Sequence, residues 1–302
     1  MNRNIPRPCP LCGGAAGNAC FPYATRFNGV SFSYLQCRSC RSTFVDPVPD
    51  AGTFAKMYAK SAYHDAHYAE CESPHYRESA VLLKDFLPAG ASVLDYGCGL
   101  GLFLRALKEQ GFSAMGVEFD REAAESASSA SGCPAFALED FAAYKGEASV
   151  DALHLGDVLE HLADPGKTLQ ELLTFVKPQG LLFVEGPLEN NPSPVFWAAQ
   201  LFGRAKKLLK PGLAGSTAPT HLLRVDAAQQ VAFFRRFWPE LETLHWSVYE
   251  TGWPYRDGGA VKSAIAGLAT AAGGKNLFGV TFGNRFRGVF RLPKAPAQGQ
   301  KA

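Results

Sequence analysis

The stretch VLDYGCGLG at residues 93–101 ends in three glycines at alternating positions, Gly97, Gly99 and Gly101, with Asp95 two residues ahead of the first. A strand, a tight glycine turn and a helix in this order receive nucleotide-bearing ligands. The dinucleotide fingerprint G-x-G-x-x-G uses its third glycine to let helix and strand pack closely, but that position here is Leu102. A carboxylate at the strand's end would also repel a pyrophosphate, whereas it favours a ligand bearing a sulfonium and an ammonium. Glu118 follows about 20 residues on, where an acid takes up ribose hydroxyls. The turn is therefore expected to hold a cationic nucleoside and not NAD.

Four cysteines stand in two C-x-x-C pairs, Cys9-Pro-Leu-Cys12 and Cys37-Arg-Ser-Cys40. Each pair forms a knuckle presenting two thiolates, and two knuckles complete the tetrahedron that Zn²⁺ prefers. Four thiolates leave no open position, so the metal is expected to be structural. A domain this short buries too little apolar surface to fold alone. Cys20, Cys71, Cys98 and Cys133 have no such spacing and read as ordinary residues.

Two histidines are placed for proton transfer. His161 follows Glu160 in DVLEH, where the fourth strand of the series ends, and an imidazole's near-neutral pKa suits a general base. His221, in PTHLLRVDAAQQ, precedes a helix capped by Asp226 and follows an insertion expected to cover an acceptor. His64 and His67 interleave with Tyr58, Tyr63 and Tyr68, whose rings offer cation–π contacts to a sulfonium or packing between two modules. His154 lies within a strand and reads as core.

The elements that would position these groups alternate regularly from Ala91 onward. SVLDY, SAMGVEF, PAFALE, DALHLGD and LLFVEG read as strands, and helices stand between them. Gly111 serves as a helix-ending glycine, Asp120 as a cap, and Asp164-Pro165 as a helix start. Lys177-Pro178-Gln179-Gly180 is expected to end the helix before LLFVEG. Such alternation implies a parallel sheet with helices on both faces. Residues 187–225 interrupt it as an insertion carrying one amphipathic helix, 195–210, and two more strands follow. The expected organisation is a zinc ribbon over 1–50, an aromatic connecting segment over 51–90, an α/β domain over 91–292 and a disordered tail over 293–302.

VLDYGCGLG, GVEFD, LED and LHLGDVLEHLADP, in this order and spacing, resemble the successive motifs of class I S-adenosylmethionine-dependent methyltransferases, over about residues 75–292. The resemblance implies a Rossmann-like α/β fold of seven strands, the last antiparallel between the fifth and sixth. It implies that Gly97, Gly99 and Gly101 pass under the methionine part of S-adenosylmethionine, with Asp95 contacting it. Glu118, followed by Phe119, binds the ribose; Asp140 and Phe141 flank the adenine; Gly156 and Asp157 border methionine and acceptor. The four-cysteine ribbon resembles the N-terminal module of sugar C-methyltransferases, which carry a further C-terminal domain that this length does not accommodate. Asp157-x-x-Glu160-His161 resembles the E-x-x-E-H of ubiquinone-type O-methyltransferases, associated with a divalent cation such as Mg²⁺.

The implied activity is methyl transfer to a small molecule or glycan precursor. An rRNA or tRNA methyltransferase using the ribbon to hold RNA is the alternative. It is disfavoured by a net charge of +2 and by LGDVLEHL where N/D-P-P-[YF] would stand. A non-catalytic methyltransferase-fold module has no use for Asp95, Glu118 and the glycines. DNA is not an expected partner. The N-terminus lacks an apolar signal region and no stretch approaches the ~18 apolar residues of a membrane span, so a cytoplasmic location is expected. Helix 195–210 offers an apolar and a basic face to lipid, to an anionic acceptor, or to solvent over a lid.

Overall fold

The computed structural model describes residues 6–59, 74–141, 149–210, 215–256, 258–277 and 279–294. His64, His67, Tyr63, Tyr68 and the tail from 295 onward lie outside them. The larger sheet has seven strands in the order β10-β13-β8-β7-β4-β5-β6. β4 (Ser92–Tyr96), β5 (Ser113–Glu118), β6 (Ala135–Ala137), β7 (Val150–Gly156) and β8 (Val176–Pro187) run parallel. β13 (Arg285–Arg291) lies antiparallel between β8 and β10 (Glu242–Tyr249), while β11 (Asn276–Leu277) and β12 (Val280–Thr281) form a separate antiparallel pair. This is the seven-stranded Rossmann-like sheet with its last strand reversed that the resemblance implies. Its central strands are buried on both faces, which is why they read as unbroken apolar runs and not as alternation.

Helices with apolar faces cover it. α2 (Pro74–Leu83), α3 (Leu102–Glu109) and α4 (Arg121–Ser131) pack around Val93, Leu104, Leu107 and Phe183, all essentially inaccessible. α6 (Pro165–Leu173) begins at Asp164, whose side chain accepts from Lys167 N–H at 3.0 Å, with Pro165 at the first position. α8 (Ala227–Phe237) begins with a capping box in which Asp226 and Gln229 satisfy each other's backbone amides. Two further helices, α7 (Pro194–Leu209) and α9 (Ala260–Ala272), stand against one another. The remaining helical pieces are α1 (Ala51–Tyr58) and the single turn α5 (Leu138–Phe141).

One element departs from the sequence reading. Lys177-Pro178-Gln179-Gly180 does not close a helix: α6 ends at Leu173, and β8 already starts at Val176. The turn chemistry is spent inside the strand, where Gln179 takes φ +63° and the pairing with β7 slips between Val150 and Ala152. Proline and glycine there mark an irregularity in a long strand, not its beginning.

The N-terminal sheet consists of β1 (Ala16–Phe27), β2 (Val30–Cys37), β3 (Thr43–Asp46) and, unexpectedly, β9 (Leu223–Arg224) from the end of the insertion. Thr43 pairs with Arg224 and Phe44 with Leu223. Cys9, Leu11, Leu35, Cys37 and Phe44 belong to the same apolar cluster as Leu153, Leu182 and Phe286 of the large sheet. The N-terminal module is thus continuous with the main core.

Candidate active site

The carboxyl ends of β4, β5 and β7 converge on a cavity of about 350 Å³, where open parallel sheets place their ligands. The turn after β4 needs its glycines. Gly97, Gly99 and Gly101 have φ of +81°, +54° and +80°, which side chains resist. A Cβ on Gly101 would also meet the Ala127 carbonyl oxygen at 2.7 Å. Gly101 caps α3. Glu118 ties the turn to the next strand: Gly99 N–H donates to its Oε2 (2.8 Å) and Phe119 N–H to its Oε1 (2.7 Å). Gly97, Gly99, Glu118, Phe119 and Leu138 all line the cavity.

Two residues that the resemblance assigns to the adenine lie off this lining. Phe141 turns inward onto Phe175, ring centroids 5.1 Å apart. Asp140 is exposed and paired, with Glu139, to Arg121. α5 winds the chain here, so that Leu138 faces the cavity instead.

Asp95 is 2 % exposed, and His154 Nδ1 donates to its Oδ1 at 2.7 Å. The imidazole is itself buried, clamped between Phe103 (4.0 Å) and Phe183 (4.9 Å). Gly156 makes room for it, since a Cβ there would meet the ring at 2.7 Å. His154 is therefore more than core packing: it partners the acid of the glycine motif. A small cavity of about 20 Å³ is shared by Asp95, His154, Gly97 and Glu185.

At the end of β7, Asp157 adopts φ +54°, an uncommon conformation for a non-glycine residue. Both its oxygens accept from Arg285 NH2 at 2.7 Å. Burial works against the Asp157 charge, but the guanidinium outweighs it and holds the carboxyl below its usual range. Glu160 is buried, and its Oε1 finds no hydrogen-bond donor. Burial, reinforced by the nearby Asp157 charge, pushes its pKa up to about 8.

The two histidines meet edge to face, 4.8 Å apart, and differ in character. His161 Nδ1–H donates to the Thr220 carbonyl (2.8 Å), which also accepts from Tyr58 O–H (2.9 Å). Burial, and then the neighbouring His221, push its pKa down to about 3. His221 Nδ1–H donates to Glu189 Oε2 at 2.8 Å. Burial alone would lower its pKa, but the Glu189 carboxylate more than compensates and raises it. Glu189, also facing Arg224, is held down to about 2 despite its own burial. His221 is also the more accessible side chain, 27 % exposed against 12 % for His161. Ligand atoms of Glu160, His161 and His221 lie within 4.8 Å of one another.

Glu189, Arg285 and the His154–Asp95 contact carry no sequence signal. Glu189 reaches a partner 32 residues away across the insertion, in a stretch, PLENNP, that reads only as a loop.

At the N-terminus, Sγ of Cys9 is 3.7 Å from that of Cys40, and Sγ of Cys12 is 3.5 Å from that of Cys37. All four sulfurs lie within 4.8 Å of one another. Four thiolates about 2.3 Å from one Zn²⁺ stand about 3.8 Å apart in a tetrahedron. Gly14 N–H and Cys40 N–H donate to Cys12 and Cys37 sulfur, as knuckle amides do toward thiolates.

Residues 66–235 match the methyltransferase domain family, more than half of the chain. The chain belongs to that family. It is an S-adenosylmethionine-dependent methyltransferase. A ubiquinone biosynthesis O-methyltransferase of Xanthomonas axonopodis pv. citri is 29 % identical over 181 residues, 56 % of this chain and 70 % of the relative. A second, from Chromobacterium violaceum, is 33 % identical over 102 residues, 32 % of this chain and 44 % of its own length. Among solved structures, the complex of the Haloferax volcanii Trm112 methyltransferase activator with a methyltransferase contains a chain with the same fold. Its TM-score is 0.51 at 19 % identity, covering 82 % of this chain and 99 % of that one. Among the described residues no helix is long and apolar enough to cross a membrane.

Proposed function

We propose that this enzyme methylates a hydroxyl of a small-molecule acceptor, with His221 as general base. The observation that carries the proposal is the His221–Glu189 pair at 2.8 Å. A hydroxyl must lose its proton as it is methylated, and the pair supplies an oriented acceptor nitrogen. With Nδ1–H committed to Glu189, the lone pair of His221 is on Nε2, and it is Nε2 that takes the proton. Glu189 then stabilises the imidazolium. His161, held near pKa 3, is too weak a base for this and serves to pack and align. Phe54 and Tyr58 give the cavity an aromatic wall suited to a flat acceptor. Two relatives named as ubiquinone biosynthesis O-methyltransferases support a hydroxyl acceptor. The experiment is a mass-spectrometric screen of phenolic and sugar hydroxyls with the purified enzyme. A methylated carbon in the true product would overturn the reading.

S-adenosylmethionine, when bound, supplies an electrophilic methyl on a sulfonium. The residues that would hold it are Gly97, Gly99 and Gly101 beneath the methionine part, Asp95 toward its ammonium, Glu118 on the ribose, and Phe119 with Leu138 beside the base. Gly156 and Asp157 would separate it from the acceptor. His154 acts through Asp95: it fixes the carboxylate in one orientation, so that no reorganisation is needed on binding. Asp95→Ala and Glu118→Ala are each expected to lower affinity for S-adenosylhomocysteine by ~1.5–3 kcal/mol in calorimetry. His154→Leu should approach the effect of Asp95→Ala, with His154→Asn recovering part of it. A deaminated cofactor analogue should bind the wild type and His154→Leu equally well. Unchanged affinity in Asp95→Ala, Glu118→Ala and His154→Leu would remove the cofactor from this place.

A second reading has its own observation, the Glu160–His161–His221 cluster with its unpartnered Glu160 oxygen. Two imidazoles and a carboxylate suit a transition-metal dication better than Mg²⁺, which prefers oxygen and water. Under this reading, a chelator too weak to extract the ribbon metal abolishes turnover and Mn²⁺ restores it. Full activity in that chelator leaves the base reading standing.

Zinc at Cys9, Cys12, Cys37 and Cys40 completes the proposal as a structural ion. Its donor set is closed, and the sulfurs already stand at tetrahedral separations.

A further inference from the structure

Helix α7 leaves five large apolar side chains in solvent: Trp197, Leu201, Phe202, Leu208 and Leu209, the last two more than four-fifths exposed, at 84 % and 83 %. At about 100° per residue these five fall on one continuous arc. Arg204 bounds the arc on one edge and Lys206 on the other. The opposite side of the helix is seated. Gly203 is buried there, so close to the Phe21 ring that a Cβ would come within 2.3 Å. Lys207 belongs to that seated side, its Nζ 3.8 Å above the Tyr23 ring. α9, packed against α7, adds exposed Val261 and Leu268 while burying Ala266 and Ala269. Exposed apolar side chains in this number on a folded enzyme mark an interaction site.

The charge pattern selects the occupant. Residues 194–210 and 258–275 hold six lysines and arginines and none of the chain's 28 acids, whereas the whole chain carries only +2. Two copies meeting through this face would bring like charges together. We propose that α7 and α9 form a docking face for an anionic lipid bilayer. The arc of α7 sinks among the acyl chains, and Arg204 and Lys206 reach the phosphates beside it, as in helices lying in the plane of a membrane. The enzyme touches the bilayer and does not span it. Because α7 lies in chain order between Glu189 and His221, docking sets the insertion that carries both against the lipid surface.

The test is co-sedimentation of the full-length protein with phosphatidylcholine vesicles, with and without phosphatidylglycerol. Binding is expected only to the mixed vesicles and should weaken as salt is raised. Arg204→Gln and Lys206→Gln should each weaken it by roughly fivefold. Leu208→Ser with Leu209→Ser should weaken it on the order of tenfold or more while leaving affinity for S-adenosylhomocysteine intact, since both side chains are already in solvent. Three outcomes would overturn the proposal. One is no binding to phosphatidylglycerol vesicles, and another is binding that neither pair of changes alters. The third is self-association of the wild type that Leu208→Ser and Leu209→Ser abolish, which would make a second copy the occupant.

Discussion

Replacing His221 with alanine is expected to lower turnover by about 10²–10⁴-fold, the usual cost of removing a general base. Affinity for S-adenosylhomocysteine should stay nearly unchanged, because His221 lies on the insertion side and Glu118 and the glycine turn are untouched. The pH profile separates a base from a merely structural histidine. His221 must be neutral to accept a proton, and Glu189 raises its pKa above the ordinary 6.5. The rate should therefore fall with decreasing pH through a limb lying above that value. Glu189→Gln removes the attraction that favours the imidazolium, so the limb moves to lower pH. The plateau rate also drops, because Nδ1 has lost the acceptor that orients the ring. His161, pushed down to about 3, stays neutral throughout an ordinary assay and contributes no limb. If the same limb persists in His221→Ala, the proton goes elsewhere, and Glu160, with its pKa near 8, becomes the group to replace next.

How much of this was legible beforehand depended on the range of each interaction. The parallel strands were readable because buried ones show themselves as short apolar runs, and most helices between them carry a cap or a terminating glycine; the reversed last strand came from the family resemblance alone. The glycine turn and Glu118 were readable as well: the acid lies about 20 residues on, within one βαβ unit. Contacts between distant segments were not. His154 looked like packing because nothing in a strand announces that its inward side chain faces the acid of the neighbouring strand. Glu189 was invisible for the same reason, its partner lying beyond the whole insertion. The choice between His161 and His221 turned on environment: one stands at a strand's end and the other after the insertion in sequence, and only burial and the Glu189 carboxylate lower the pKa of the first and raise that of the second. Phe141 and Asp140 lie off the cavity lining because α5 winds the chain there and brings Leu138 to the cavity instead.

Elemental analysis of the purified protein is expected to give one zinc per chain, lost on any of Cys9→Ser, Cys12→Ser, Cys37→Ser or Cys40→Ser. The consequence should exceed local fraying. Structural zinc contributes about 10–16 kcal/mol in small zinc-finger peptides, comparable to the ~5–15 kcal/mol stability of a whole domain. Here the ribbon is also welded to the enzyme. Val45 N–H donates to the Leu222 carbonyl at 2.9 Å, Phe44 pairs with Leu223, and the Gln229 side chain donates to the Cys40 carbonyl at 3.0 Å. Leu222 and Leu223 follow His221 directly, so the strand that carries the ribbon's order also fixes the position of the base. Withdrawing the metal should therefore expose residues 6–50 to limited proteolysis and reduce turnover more than cofactor affinity, since the glycine turn is tied to Glu118 at the end of β5. Retention of a full equivalent of zinc by Cys37→Ser would remove the metal from this site. Loss of the metal with turnover intact would show instead that β9 holds His221 without help from the ribbon.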